Sequence, residues 1–517
     1  MLLLHKANKL DVSLYERLLP TGSQRPRLYG LPKVHKTGAP LRPILAMTGA
    51  AQHKLAQWLI TVLQPVVDKY SGNCIKDSFS FADEIRKLEC SGEMTMCSFD
   101  IKSLFTNVPV FETIGICERA LFDLKLNTTL LEREDFVQLM KLATCNVEFS
   151  FDNMMYRQTE GVAMGSPLGP ILANIFVGYH ENQLFATCER PLVYWRYVDD
   201  TFAVFDDQVR RSEFEVHLNS LHPSLKFTSE DEQDNTLPFL DVEVHKSDDG
   251  FLTKVYRKPT FTGEYTKWRS FCDTKRKMNL VKTLTYRALK LCSPLFLEAE
   301  VDKIKSIFRD NGYPERLVTT TIQRKIEDFQ SNNPPTEAPE KCPVYLRLPY
   351  IGPVSEHYRK KISSTIAGCY PKVKPRVILT SKPMLPSSIK DVLPTHQRSN
   401  LIYKFQCSCD STYVGRTNQR LETRIRQHIP RWFEKDISSG ELVPRSPSSA
   451  IAEHLAKDVK CGKAYNSQMF SIICHGRSPF HLQALEALNI SVQRPPLCKQ
   501  KKFVYSMLLF KHLSTGL

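Results

Sequence analysis

The sequence predicts an α+β chain of several domains, on three observations. In PLVYWRYVDDTFAVF, Pro191 to Phe205, two β-rich runs flank a tight turn that holds Asp199 and Asp200. Upstream, MTMCSFDIKSLFTN ends an apolar strand at Asp100. After Phe271 the pattern turns helical, and NLVKTLTYRALKLCS places Leu280, Val281, Leu284, Ala288 and Leu289 on one face. Adjacent aspartates repel each other, and a divalent cation shared with a third carboxylate relieves the repulsion, as two-metal phosphoryl transfer requires. Alone, the tetrad is equally a surface turn. With Asp100 before it and GVAMGSPLGPILANIF between, the order points to a polymerase-type palm.

Composition narrows the partner. At 517 residues the chain has room for two to four domains, and 42% hydrophobic residues is ordinary for globular protein. Lys plus Arg number 70 against 55 Asp plus Glu, and the excess of 15 favours a polyanion, most simply nucleic acid. No apolar run reaches the length of a bilayer span and no signal segment opens the chain, so an intracellular, nuclear protein without a membrane is expected. An odd count of 15 cysteines reads as reduced thiols, a few of them recruited to a metal.

From Arg25, RPRLYGLPKVHKTGAPLRPI is punctuated by Pro and Gly and made basic by Arg25, Arg27, Lys33, His35, Lys36 and Arg42. Such a stretch is either a solvated loop or a strand over phosphates, and the planar fork of Arg42 suits a triphosphate. Leu55, Leu59, Ile60 and Leu63 mark a helix over 52–67, and a second follows near Phe79 to Leu88. Phe105, five residues past Asp100, either packs in the core or excludes a 2′-hydroxyl by bulk. Two helices are expected between Val110 and Leu142, then a hairpin in NVEFSFDNMMYRQTEG. Gly161, Gly165 and Gly169 allow close backbone approach to a ligand, and Ser166 and Pro167 start a helix through Tyr179. FLDVEV and KVYRKPTF both read as strands, the second basic and aromatic enough to grip a backbone. The helices after Phe271, one of them running from Ser-Pro to Asn-Gly, form a thumb-like unit whose Lys282, Arg287 and Lys290 face either a duplex or water.

Seven stretches (RLYGLPKVHK, PLRPI, SFDIKSLFTNVP, GVAMGSPLGPILANIF, RYVDDTF, LPFLDVEV and KVYRKPTFT) resemble the reverse transcriptase of Penelope-like retroelements, a group similar in its catalytic domain to telomerase. The resemblance implies a right-hand fold of fingers, palm and thumb. It also implies magnesium or manganese on Asp100, Asp199 and Asp200, triphosphate at Arg42, a sugar gate at Phe105, and a nucleotide-supporting turn at Gly165, Ser166 and Pro167. Fingers and palm are expected over 1–275, thumb over 276–330, and a proline-rich linker and connector over 331–395.

The last unit, 396–505, opens with NLIYKFQCSCDSTYVGRTNQRLETRIRQH. Two β-rich runs carry Tyr403 and Tyr413, and the helix after them sets Arg424 and His428 at i and i+4. These side chains suit metal-assisted phosphodiester hydrolysis, or simply nucleic-acid binding. The segment resembles the small α/β GIY-YIG endonuclease that follows the reverse transcriptase in Penelope-like elements, with LIY and YVG as its paired tripeptides. On that pattern fall Tyr403, Tyr413, Arg424, His428 and Glu486, the last as the magnesium carboxylate. Related elements carry a zinc motif here. Cys407 and Cys409, with His454 and Cys461, are its candidates, against ordinary buried thiols.

The chain departs from the family in three places. It begins almost at the basic strand, as a truncated copy would; its first tripeptide is Leu-Ile-Tyr; and Cys498 stands where the family tends to have asparagine beside the metal. The expected function is RNA-directed DNA polymerase of a retrotransposon, taking template RNA, a DNA primer at a nicked target and deoxynucleoside triphosphates. The alternatives are a catalytically impaired nucleic-acid-binding relic and an RNA-templated RNA polymerase.

Overall fold

The computed structural model describes residues 1–20, 22–34, 38–89, 94–331, 342–381, 392–439 and 449–498. His35, Lys36 and the proline-rich linker after Ser331 lie outside them. Two short helices, α1 (Leu2–Lys6) and α2 (Val12–Leu18), precede a fingers hairpin of β1 (Leu28–Pro32) and β2 (Leu41–Leu45), where Arg42 stands opposite Leu31. The expected helices form as α3 (His53–Tyr70) and α4 (Ser78–Ile85), the latter capped by Asp77, which accepts the Ser80 N–H. Next come β3 (Thr95–Ile101), one-turn α5 (Leu104–Asn107), α6 (Val110–Phe122) and α7 (Arg133–Thr144). The hairpin β4 (Glu148–Phe151) and β5 (Met154–Arg157) leads to α8 (Leu168–Thr187), β6 (Val193–Tyr197), β7 (Asp200–Phe205), α9 (Gln208–Ser220) and β8 (Phe227–Asp231).

An antiparallel sheet in the order β6-β7-β3-β8 organises this half. Strand alternation gives it two buried faces. Cys97, Phe99 and Ile101 pack with Leu59, Ile114 and Phe176 of the helices behind, whereas Met96 joins Phe202 and Val204 of β7 against Phe81 of α4. Each large side chain so buried contributes about 1.5–3 kcal/mol, enough to hold the edge of the sheet still.

Two strand expectations change. LPFLDVEV is not one strand but a hairpin, β9 (Thr236–Phe239) and β10 (Val242–Ser247), reversed at Leu240 with φ +54°. Pairing of Leu237 with Val244 and Phe239 with Val242 keeps all four on one buried face, so the turn preserves the alternation. β11 (Gly250–Val255) then ends short of Thr262. Pro259 has no N–H to offer a ladder, and Arg257 turns to Glu300 instead, one arm at 2.8 Å.

Helices α10 (Thr274–Leu291), α11 (Pro294–Asp310) and α12 (Glu315–Gln330) share a core of Val281, Ala288, Ile304, Phe308 and Ile322. Part of their basic face is engaged within the chain, since Arg287 reaches Asp241 at 3.1 Å and Lys290 covers the Phe329 ring, while Lys282 is exposed. The connector folds as β12 (Cys342–Pro349), α13 (Pro353–Cys369) and β13 (Val373–Thr380), with the strands parallel. Its Glu356 accepts the Thr274 N–H at 2.7 Å, capping the thumb's first helix.

The last unit has a sheet ordered β15-β14-β16, from β14 (Leu401–Gln406), β15 (Thr412–Thr417) and β16 (Phe470–His475). Around it lie α14 (Leu421–His428), α15 (Arg431–Ser439), α16 (Ala450–Lys457), α17 (Val459–Ala464) and α18 (Pro479–Gln493).

Candidate active sites

In the palm, β3 and β7 align so that Asp100 lies directly opposite Asp200, after Met96 opposite Val204 and Ser98 opposite Phe202. Residues opposed in this way share a face, so both carboxylates end one row of side chains. Asp199 sits in the two-residue turn between β6 and β7, where its carbonyl accepts the Ile101 N–H at 3.0 Å and locks the tip to the end of β3. Among the described residues this triad is not one of the groups of ligand atoms gathered within 4.8 Å. Hard carboxylate oxygens at the ends of two neighbouring inner strands nevertheless suit a hard divalent cation, which would draw in side chains that otherwise repel.

A two-residue hairpin loop needs positive φ at its first residue, and here that residue is Val198, at +58°. A β-branched side chain there costs on the order of 1–3 kcal/mol. Beneath the turn lies a polar network that the sequence reading missed. Arg196, fully buried, donates from Nη1 to Val198 O and to Asn174 Oδ1, each at 3.0 Å, and from Nε to Glu181 Oε1 at 2.7 Å. Tyr194 donates to the same Glu181 oxygen at 2.7 Å. The available signal was an arginine at an inward position of the VYWRYV alternation.

The glycines close on the chain's own backbone. Gly165, at φ +122°, lies so near Leu45 O that no Cβ fits, and Met164 O accepts the Leu45 N–H at 2.8 Å. Gly161, at φ +70°, would put a Cβ 2.6 Å from Thr106 O. Together they fasten the loop before α8 to the fingers and to α5. Ser166 accepts the Leu168 N–H at 3.3 Å, and Pro167 is the N-cap of α8. Phe105 is half-buried, its ring beside Gly169, while Arg42 is exposed on β2.

In the C-terminal unit four of the five expected residues converge. The Tyr403 hydroxyl accepts from Arg424 Nε at 3.2 Å and shares a hydrogen bond of 2.7 Å with His428 Nε2, the tautomer setting which of the two donates. Burial, with Arg424 beside it, pulls His428 down to about 4, which leaves the ring neutral. Burial pushes Tyr403 up, and its side chain is fully enclosed, so it orients its neighbours rather than meeting substrate. Tyr413 is half-buried, its ring centroid 5.6 Å from that of His428.

Glu486 comes from α18 on the other side. Its Oε1 accepts the Arg416 N–H at 3.1 Å, and Oε2 lies 3.2 Å from Arg416 Nε with no aligned hydrogen bond, leaving an oxygen for a hard cation. Burial raises its pKa most, with Arg416 opposing. Arg416 is thus a site residue not singled out in the sequence. Arg416, Gln419 and Arg424 line an open polar mouth of about 400 Å³. The Cys498 sulfur lies 3.3 Å from Val414 N and 3.2 Å from Val414 O, beside an apolar cluster of Ile402, Val414 and Leu482.

Cys407, Cys409, His454 and Cys461 bring four ligand atoms within 4.8 Å of one another, with Cys409 Sγ 3.4 Å from His454 Nε2. Three sulfurs and one imidazole fit tetrahedral zinc. Hydrogen bonds with Ser411 draw Cys409 down to about 6, toward the thiolate a metal needs. Glu112, His180 and His222 form a second group within the same limit. There the Ser224 N–H occupies His222 Nδ1 at 3.1 Å, so Nε2 carries the ring proton and donates to Glu112 at 3.2 Å. His222 and Glu112 thus satisfy each other, while both ring nitrogens of the buried His180 have no hydrogen-bond partner.

An antiparallel sheet with paired aspartates at a hairpin tip, backed by helices and followed by a helical thumb, is a polymerase palm. Residues 34–229 match the family model described as Reverse transcriptase (RNA-dependent DNA polymerase), so the chain carries a reverse transcriptase domain. Residues 265–323 match the model described as Animal helix-turn-helix domain. No curated protein matches the chain. Among solved structures, telomerase from Candida albicans in complex with a fragment of telomeric RNA is similar at 15% identity and TM-score 0.41, over 60% of this chain and 56% of that one. Apo telomerase from Candida tropicalis follows at 12% and 0.37, over 60% and 59%. The Sicinivirus 3Dpol RNA-dependent RNA polymerase aligns at 12% and 0.39, over 61% and 71%. The chain spans somewhat over half the length of these two telomerases.

Proposed function

We propose that the chain is the RNA-directed DNA polymerase of a Penelope-like retrotransposon, joined to a GIY-YIG-type endonuclease that nicks DNA and frees the 3′-hydroxyl to be extended. The observation that carries the reading is the register of Asp100 against Asp200 at the end of the palm sheet, inside the reverse transcriptase match. Magnesium held by Asp100, Asp199 and Asp200 supplies charge neutralisation to the phosphates when bound. The chain's own residues then hold the reactants. Arg42 meets triphosphate, Phe105 stands beside the sugar, and the Arg196 network keeps the aspartate turn rigid while strand and template pass.

In the nuclease, His428 and Tyr403 orient Arg424 toward a scissile phosphate, and Glu486, paired with Arg416, is the residue that would hold a magnesium ion. Zinc on Cys407, Cys409, His454 and Cys461 ties the β14–β15 loop to α16 and α17. Substrates are template RNA, a DNA primer and deoxynucleoside triphosphates, and the site of action is the nucleus.

Primer extension on an RNA template with purified full chain tests this. Magnesium-dependent DNA synthesis is expected with deoxynucleotides and little with ribonucleotides. Asp100→Asn and Asp199→Asn should each abolish it, and the pair should lose little more, because both serve one metal site. Near-normal extension by folded Asp100→Asn would refute the assignment, and a preference for ribonucleotides would favour an RNA polymerase.

A further inference from the structure

The nuclease unit is held to the polymerase by more than the linker. Ser399, 1% exposed, donates from Oγ to Gly22 O at 2.7 Å. Arg25 Nη1 donates to Gln397 Oε1 at 3.3 Å. Gly22 has φ +64°, and a Cβ there would sit 2.5 Å from Asn418 O and collide with the Asn400 side-chain amide. The fingers backbone at Gly22 is therefore pressed onto the nuclease with no room for a side chain of its own. Beside this contact, Arg420 joins Leu18, Arg25 and Lys141 in lining a cavity of about 680 Å³.

The nuclease residues in this contact belong to a functional loop. Arg416 and Thr417 end β15 and residues 418–420 lead on to α14, so this stretch connects the strand of Tyr413 to the helix of Arg424 and His428. On one side Arg416 and Gln419 line the polar mouth, and Arg416 holds Glu486. On the other, Asn418 and Arg420 meet the fingers. The loop is a thin wall between the two units.

We propose that the fingers act as the backstop of this loop, with Gly22 as the positioning residue, so that the cutting geometry at Arg416 and Glu486 depends on docking of the nuclease against the polymerase. This rests on the endonuclease reading of the C-terminal unit. Its consequence is a nuclease that works as part of the whole chain, where the nick it makes is available to the polymerase beside it, and that weakens when released.

The test uses the full chain and the variants Gly22→Val and Ser399→Ala, with hydrogen exchange, nicking of supercoiled DNA and primer extension measured on each. Gly22→Val wedges the contact open, and Ser399→Ala removes its buried hydrogen bond with little change in volume. Both should raise exchange of the amides at 398–401 and 416–420, because local opening becomes less costly. Nicking should fall roughly ten- to hundredfold for Gly22→Val, as a misplacement near 1 Å allows, while primer extension stays unchanged. Unchanged exchange in both variants overturns the docking. Raised exchange with full nicking overturns the dependence of cutting on it. A wild-type chain that does not nick, and that Glu486→Ala does not alter, sinks the endonuclease reading and this coupling with it. The exchange result, which needs no activity, separates that failure from a failure of the contact.

Discussion

Arg196 Nη1 and the carbonyl oxygen of Val198 lie 3.0 Å apart, so a buried cation directly braces a turn residue at φ +58° that is followed at once by Asp199 and Asp200. The same guanidinium is paired with Glu181, and both side chains are fully enclosed. Removing one partner strands the other charge, whereas removing both need not destabilise the fold.

Arg196→Met should therefore cost about 3–5 kcal/mol of stability, and adding Glu181→Leu should return most of it. Extension should stay low in the double variant, because Val198 O has still lost its donor. Denaturant melts and primer extension on both proteins check this; recovery of activity along with stability would show the brace to be structural only.

Phe105→Val should raise ribonucleotide incorporation while deoxynucleotide use changes less, since the ring is half-buried and presents bulk beside Gly169. Competition between the two nucleotide classes is the measurement. Unchanged sugar selectivity would return Phe105 to the core.

His428 gives a pH dependence of known sign. Its imidazole is held at about 4 in the fold, against 6.5 unperturbed, so the unfolded chain binds the extra proton between those values. Stability from this group is present above 6.5 and lost as pH falls toward 4, a change on the order of 3 kcal/mol. Glu486, raised by burial, acts in the opposite sense. The informative quantity is the difference between wild type and His428→Gln, which should shrink as pH falls through this window.

One equivalent of zinc should co-purify with the chain and be lost in Cys409→Ser, and a strong chelator should lower the melting temperature of the C-terminal unit before that of the palm. Elemental analysis and calorimetry decide it. A metal-free chain with an unchanged melt would leave the four side chains as ordinary thiols and an imidazole.

Cys498→Asn should raise nicking and leave DNA affinity alone. An amide in that place can keep both contacts to Val414 and order water near Glu486, which a thiol does poorly. Binding and nicking of supercoiled DNA are compared with Glu486→Ala as the inactive reference. A strong wild-type nick that asparagine does not improve would put Cys498 outside the metal site.

Local features were readable in the sequence, and features built from distant segments were not. The strand ending at Asp100, the hairpin at Asp199 and Asp200, and the helices over 52–67 and after Phe271 follow from alternation and helical spacing, and they are where expected. The reversal at Leu240 was hidden because a hairpin pairing Leu237 with Val244 keeps the same buried face that one alternating strand would. The Arg196–Glu181 pair needs β6 laid along α8, and the Arg416–Glu486 pair joins residues 70 apart in the chain. The Arg287–Asp241 pair likewise joins α10 to the turn between β9 and β10, a contact that the spacing of neither segment carries.

Gly161 and Gly165 are required by the backbone of β2 and α5, whether or not any nucleotide ever binds. Folding enforces them, while the role proposed for Asp100, Asp199 and Asp200 rests on the chemistry of their carboxylates. Under the proposed role the two motifs should therefore answer differently to substitution, with changes at the glycines felt in folding and changes at the aspartates felt in activity. An intact glycine loop speaks for the scaffold and says nothing of whether the site beside it works.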